Sequence, residues 1–507
     1  MVRMAPGVLW MACMLATTAC GDSAPPAEND VGSSGTGGTT GPGTVVPGTT
    51  DEDTGPASTS AADSTGSSTA SGTDVDESGT TSTAEDTGDD TGTTGDPEPM
   101  VMPFDCVWAP PDSIAMEPPD GASYEGGTVE MDADGTASAV IWESNFPEYY
   151  IQRHRFDPDP GTWGPADILQ TDTAFSSNRF LSGADAMGGS WHGWTSQATV
   201  YGLGFEPGTG WSMPQVVGGS GQSFQTLQDH ALTMDAAGNI VQAWEEHDNT
   251  VYARRYNAGT GVWGAAHQLM AGPEGQSILA DLSAASFGSG EAVVAWRRSG
   301  LDAGMYAATW DPATGWSDTE SLGPAAEPHA VGNAAGDAVI LARTTGLTPY
   351  HYDAATGDWV EGSLLYEPMV GQLGNPRVEM GADGSVMAIW RVLSGGGNDL
   401  WASHYDETQE LWTEPELISE INAGWPLLAV NGGGHAIVAH EGGTGFATRC
   451  FDADLGTWGT TTLTEVSSLD NIWSLTGNDE GDAALLVHGN TLVDITFLDT
   501  VFAFTSP

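Results

Sequence analysis

A pattern of about fifty residues returns eight times along residues 101–507, and that repetition constrains the fold more than any other feature of the chain. The sixth copy is the clearest: 376–380, a turn at Ala382-Asp383-Gly384, 386–390, then 400–406, then 412–418. It reads as four short strands joined by turns. A unit of this kind cannot bury both of its faces alone, so neighbouring copies must stack.

The outermost strand is marked by a recurring tryptophan, at Trp108, Trp163, Trp211, Trp263, Trp316, Trp359, Trp412 and Trp458. Most are followed six residues later by an aliphatic residue, as in Trp163 to Leu169. The strand before it ends in an aromatic or polar pair such as Phe156-Asp157, Tyr256-Asn257, Trp310-Asp311 or Tyr405-Asp406. The inner two strands form a hairpin around a D/N-x-x-G turn: Asp132 to Gly135, Asp235 to Gly238, Asn333 to Gly336, Asn431 to Gly434, Asn478 to Gly481. Asp and Asn tolerate that turn, and glycine accepts positive φ. Runs such as Ala139-Val140-Ile141-Trp142 are apolar on both faces, as strands sandwiched between sheets require.

The last repeat holds three strands (473–476, 483–488, 491–498) and no Trp-bearing fourth. Residues 108–114 form such a strand with nothing before them. Together they predict a ring closed three-plus-one, hence an all-β, eight-bladed β-propeller, with a seven-bladed ring as the alternative. The second repeat (180–217) fits the pattern least well. Cys106 begins the closing strand and Cys450 lies on the third strand of the preceding repeat, so a disulfide between them would pin the ring in an oxidising compartment.

Two segments precede the repeats. Residues 1–19 read as an export signal: Arg3, a short apolar run over 8–16 and small residues before Cys20. The run is too short for a permanent membrane helix. The arrangement resembles a bacterial lipoprotein signal, which implies lipidation at Cys20, although Thr17 stands where the usual lipobox has Leu. Ordinary secretion is the alternative. Residues 20–100 are a Gly/Ser/Thr/Asp-rich linker with sixteen acids over 21–100 and no Arg. Such a composition cannot bury enough apolar surface to order itself, and it predicts a disordered tether spanning roughly 50 Å.

The net charge of −57, with 69 acids, 12 basic residues and no Lys, argues against nucleic acid and anionic membrane surfaces as partners. Any membrane attachment is therefore expected through the lipid alone, at the outer membrane or cell surface, and the protein is expected to be a monomer. The D-x-x-G turns and regular Trp resemble those of bacterial surface propellers of the sialidase-like and Asp-box superfamily. No repeat matches S-x-D-x-G-x-T-W in full, and the catalytic Arg, Tyr–Glu and Asp roles of sialidases find no motif here. The resemblance implies fold rather than activity.

Residues shared by every repeat are structural, so site candidates are those that break register. The Trp ending the second strand (Trp142, Trp244, Trp296, Trp390) gives way to Arg343, His440 and His488, while Trp425 and Trp473 appear at the start of two first strands. Pairing across the turns would bring Trp425 near His440 and Trp473 near His488. His230 and His329 take the same first-strand position. Volume compensation within a blade explains the exchange; a Trp–His edge able to stack on a sugar is the functional reading. One face would also carry Glu143, Glu245-Glu246-His247-Asp248, Arg297-Arg298 and Arg391. A solvated acidic rim accounts for these acids. Glu245 to Asp248 could ligate a cation, calcium included, without specific spacing, and Asp132-x-Asp134-Gly135 lacks the later acids of a calcium loop. No cofactor, metal or catalytic residue is expected. The candidate ligand-binding set is therefore Trp425, His440, Trp473, His488, Arg343, His329, His230, Glu245, His247 and Arg297. The function expected is a displayed binding or adhesion module for a glycan or protein. A polysaccharide hydrolase or lyase and a structural envelope protein are the alternatives.

Overall fold

The computed structural model describes Cys106, Trp108 and the chain from Ser123 to Phe502, apart from short loops, within the compact unit 94–507. The leader, Cys20 and the linker lie outside the described residues. Among those described there is no helix, and the strands form a β-propeller.

Seven blades are complete, with four or five strands each, which is the alternative count of the sequence reading. The eighth repeat contributes a three-stranded sheet, Leu469–Gly477, Ala483–Asn490 and Ile495–Phe502. Its proposed fourth strand, 108–114, is described only at Trp108. The first strands of all eight repeats pack side by side in ring order, from Ser123–Met131 round to Leu469–Gly477. The ring closes there: Val129 N donates to Ser474 Oγ at 3.2 Å. The second repeat is an ordinary blade, with Leu181–Ala184, Ser190–Ser196 and Thr199–Glu206 in sequence order.

Five of the inner hairpins are fastened by the first residue of their own turn. Asp132 Oδ1 accepts from Thr136 N (2.8 Å), Asp235 Oδ1 from Asn239 N (2.8 Å), and Asn431 Oδ1 from His435 N (2.9 Å). The glycine that completes the turn sits at positive φ, 80° at Gly135 and 79° at Gly434, which explains why the sequence repeats it. The outer strand is less regular than the sequence implied. In six of the seven complete blades it breaks into a two-residue piece holding the Trp and a second piece, such as Val262–Trp263 and His267–Met270, both paired with the same third strand.

That Trp packs on the aromatic that ends the third strand, in all seven complete blades. Ring centroids lie 5.2–5.6 Å apart, from Phe156–Trp163 through Tyr256–Trp263 to Phe451–Trp458. Each pair adds about 0.5–1.5 kcal/mol beyond the area it buries. In four blades the residue before the aromatic then reaches the next blade. Arg155 lies 4.4 Å over Phe205, Arg255 5.5 Å over Trp310, and His351 and His404 each 4.9 Å from Tyr405 and Phe451. Cys450 holds the same position in the seventh blade and is joined to Cys106 by a disulfide, Cα–Cα 5.6 Å. Trp108 is fixed beside it, its Nε1 donating to Thr448 Oγ1 at 2.8 Å.

Strand register revises the alignment of the second-strand tryptophans. Trp194, Trp244, Trp296 and Trp390 share one position, which His440, Ala342, Ile141 and Val487 fill elsewhere. Arg343 and His488 stand one residue further on, level with Arg297 and Arg391, so they do not replace the Trp. Trp142 also stands one residue further on. It therefore faces the opposite way, into the second blade, where it stacks on Phe180 at 4.2 Å and meets Trp194. Because side chains alternate along a strand, a slip of one residue exchanges the two faces.

Two outcomes test this account. Trp296→Ala removes a fully buried indole and should cost about 3–5 kcal/mol in chemical denaturation. Replacing Cys106 and Cys450 together by Ala should lower the denaturation midpoint as much as a reductant lowers that of the native protein, and the reductant should then have no further effect.

Candidate functional site

At the end of the ring where second strands finish, the segment from Ala423 to Trp425 leads into Leu427–Val430. Ala423 is buried, Gly424 lies against Glu441, and Trp425 is 55% exposed. The approach at Gly424 admits no side chain: a Cβ there would lie 2.2 Å from Glu441 Oε2. Gly424 N donates to Glu441 O at 3.4 Å. Beneath the indole lies Arg391, from the neighbouring second strand Val386–Ser394. Its guanidinium carbon is 5.2 Å from the ring centroid, and its Nη1 donates to Ala423 O at 3.1 Å. Burial raises the Glu441 carboxyl above its ordinary pKa, and the Arg391 charge opposes that rise. The indole is thus a fixed aromatic plate, supported from behind by a cation, with a carboxylate beside it.

The second candidate is the central channel. A cavity of about 400 Å³ is lined by the first strands of all eight repeats. Two residues before each turn, the strands place Glu130, Gly183, Thr233, Ala285, Val331, Glu379, Ala429 and Thr476 at one level. Two residues nearer the Trp425 end, Arg377 and His329 line it from adjacent strands. Glu130 accepts from the Ser182 and Thr476 hydroxyls, the latter at 3.5 Å. The Glu379 side chain is exposed to the channel, with the strands of the ring around it. Both carboxyls are raised to about 7, chiefly by enclosure; at Glu379 the charge of Glu130 adds to the rise and that of Arg377 opposes it.

The sequence-predicted residues separate into groups. Trp425 is exposed beside the strand that holds His440, but His440 is buried, with Nδ1 against Glu441 O at 2.8 Å. Trp473 stacks on His488 at 4.9 Å, and its indole packs between the closing sheet and blade one, against Val129, Ile141 and Leu486. Arg343 forms an ion pair with Glu327, and Arg297 Nη1 lies 3.6 Å from Asp281, a charge-balanced cluster between blades four and five. His329 faces the channel, whereas His230 and Glu245 are buried. His247 lies outside the described residues.

Asp132 and Asp134 are occupied in holding their turn and Arg155, whose Nη2 donates to Asp132 Oδ2 at 2.9 Å. Among the described residues, His435, Asp452 and Asp454 bring ligand atoms within 4.8 Å of one another. There His435 Nδ1 accepts from Ala453 N, and Asp452 Oδ1 accepts from Asp454 N and Leu455 N, so the chain's own turn takes up these lone pairs.

The sequence reading missed Glu130, Arg377 and Glu379. The signal was available: two residues before the turn, every other repeat has a small, aliphatic or hydroxyl residue, and only these two have an acid.

No family model matches this chain, and no curated protein does. Solved structures offer distant likenesses. The fucose-specific lectin from Aleuria aurantia is 15% identical, over 57% of this chain and 95% of its own, with a TM-score of 0.36. The propeller domain of the Trilobed protease from Pyrococcus furiosus is 9% identical over 68% and 98%, TM-score 0.41. A protein of unknown function from Dyadobacter fermentans is 11% identical over 78% and 98%, TM-score 0.38. At such scores these likenesses decide nothing about ligand or activity.

The channel carboxyls give a signed pH prediction. A carboxyl raised in the folded state holds its proton between about pH 4.5, its unfolded value, and about pH 7, its folded value. Its ionisation therefore costs stability as pH rises through that window. Glu130→Gln keeps the neutral shape at every pH. Relative to the native chain, its melting temperature should rise by several degrees between pH 5 and pH 8; parallel curves would show that Glu130 carries no such burden.

Proposed function

We propose that this chain is a displayed binding protein whose propeller takes a glycan on the face that carries Trp425. The observation that carries the reading is the Trp425 plate: an exposed indole, held flat by Arg391 and by the Gly424 approach, next to a carboxylate. Sugars present apolar C–H faces that stack on such a ring, and their hydroxyls suit neighbouring charged groups. An indole this exposed gains only part of the free energy that burial would give it, and its open face is left for a ligand. The cation–π contact itself contributes about 0.5–2 kcal/mol to holding the ring.

The rest of the chain suits display. In this reading residues 1–19 direct export, Cys20 becomes the lipidated N-terminus at the cell surface, and residues 20–100 form the stalk. Lipid is then the protein's sole contact with the membrane, since its charge of −57 repels anionic headgroups. The likeness of its turns to those of sialidase-like propellers extends to architecture and adds no hydrolytic step. The propeller acts as a monomer without a cofactor.

Two experiments test this. Labelled full-length protein on a broad glycan array should bind a limited set of sugars, and Trp425→Ala should weaken that binding at least about tenfold without changing the melting temperature. Trp473→Ala should lower the melting temperature instead, because that indole is packed between sheets. Silence across the array would remove the sugar reading. For the anchor, the native protein should partition into detergent with membranes and Cys20→Ala should not; equal partitioning of both would exclude lipidation.

A further inference from the structure

A propeller ring of this size leaves a channel, and a channel with no function needs only small or hydroxyl-bearing walls. Five of the eight lining positions at the Glu130 level meet that description, Gly183, Thr233, Ala285, Ala429 and Thr476, and a sixth holds the aliphatic Val331. The other two hold carboxylic acids, Glu130 and Glu379, whose placement inside a channel is unfavourable unless something compensates them. Arg377 lies two residues before Glu379 on the same strand and lowers its pKa by its charge. Glu130 is held by two hydroxyls, and among the described residues no cationic group shifts its pKa. The channel therefore has one carboxylate without a counter-charge at one level. At the next level it has a guanidinium and an imidazole on adjacent strands. Two residues of strand separate the levels by about 6–7 Å.

We propose that the central channel is a binding site for a small amphoteric molecule, its ammonium group on Glu130 and Glu379 and its carboxylate on Arg377 and His329. The cavity of about 400 Å³ has the volume of a small-ligand site. The spacing of the two levels favours a molecule whose charges are several bonds apart, such as a short ω-amino acid, over an α-amino acid. A sugar fits less well, because the described residues of the lining include no indole, phenol or phenyl ring to stack on. A divalent cation also fits less well. Calcium takes six to eight oxygen ligands within a small sphere. Here the two glutamates stand on strands three repeats apart around the ring, and Arg377 lies beside one of them. This site does not depend on the Trp425 face, which opens to solvent at the end of the ring.

The raised carboxyls supply an independent signature. An ammonium group placed on Glu130 favours its ionised form, so binding near pH 7 must expel a proton.

Isothermal titration of the full-length protein tests the proposal. The probes are glycine, 4-aminobutanoate and 6-aminohexanoate, with butylamine, butanoate and calcium chloride as separate arms. A one-to-one site is expected for an ω-amino acid, tighter than for butylamine or butanoate. Its enthalpy should vary with the ionisation enthalpy of the buffer, showing proton release. Glu130→Gln and Arg377→Met should each weaken that binding about tenfold or more, and butylamine should respond only to Glu130→Gln. Glu379→Gln serves as a second acid variant, and melting curves confirm that each variant folds. Absence of heat with every amphoteric probe would overturn the proposal. So would binding that Glu130→Gln leaves unchanged, or a response to calcium alone.

Discussion

The contact on which this structure most depends is the one that passes from blade to blade through the third strand at four junctions of the ring. A blade by itself is a twisted four-stranded sheet with two apolar faces. Its outer edge is secured by the Trp that packs on the third-strand aromatic, as in Tyr256–Trp263. The same aromatic receives the side chain that precedes its counterpart in the blade before, as Phe205 receives Arg155 and Tyr405 receives His351. At these four junctions the aromatic therefore holds its own edge and registers its neighbour; Gly204 and Thr309 stand at the corresponding position in blades two and four. Arg, His and Cys all serve at the donor position, because what the geometry requires is a side chain long or reactive enough to span the gap. At the seventh blade a covalent bond to Cys106 replaces the stack. The bond ties the segment before the first blade to the seventh blade, a junction that sequence continuity does not register.

The same ring geometry explains why polar groups collect at the centre. The inner strands pack side by side around a lumen, and near the turns part of each strand borders that lumen rather than a neighbouring blade. Small residues at those positions leave the cavity, and the acids at Glu130 and Glu379 take their unusual pKa from enclosure by eight strands. At the blade interfaces the opposite rule holds. His192 is completely buried between blades one and two, with Thr128 Oγ1 at 2.8 Å from its Nδ1, and burial lowers its pKa to about 3. It is a neutral packing residue despite being a histidine in a repeat that fits the pattern poorly.

Much of this was legible in the sequence. The D/N-x-x-G turns could be read because their side-chain caps act within five residues, as at Asn431 to His435. The outer Trp could be read because it recurs in every blade. Register was harder. Arg343 and His488 looked like replacements for a Trp because the eye aligns strand ends, whereas pairing counts from the turn; the one-residue difference sends a side chain to the opposite face. Trp473 and His488 were correctly brought together by antiparallel pairing, but pairing alone does not say whether neighbouring sheets cover them. The channel acids were visible as departures from the repeat. Their consequence depends on eight strands converging, which no single repeat contains.

The two candidate sites differ in how the fold produces them. Trp425 stands on a connecting segment, where the chain is free to vary without disturbing blade packing, and its rigidity comes from one cation and one glycine approach. The channel acids stand on the innermost strands, whose backbone is fixed by pairing on one side and by the ring on the other, so only their side chains can vary. A ligand on the outer face is thus selected by loop chemistry, and one in the channel by the side chains at two levels of eight fixed strands. The separation lets one ring carry both sites without compromise. The stacking that holds the blades together lies on the third and fourth strands, remote from the channel, and a change of ligand at either place leaves it intact.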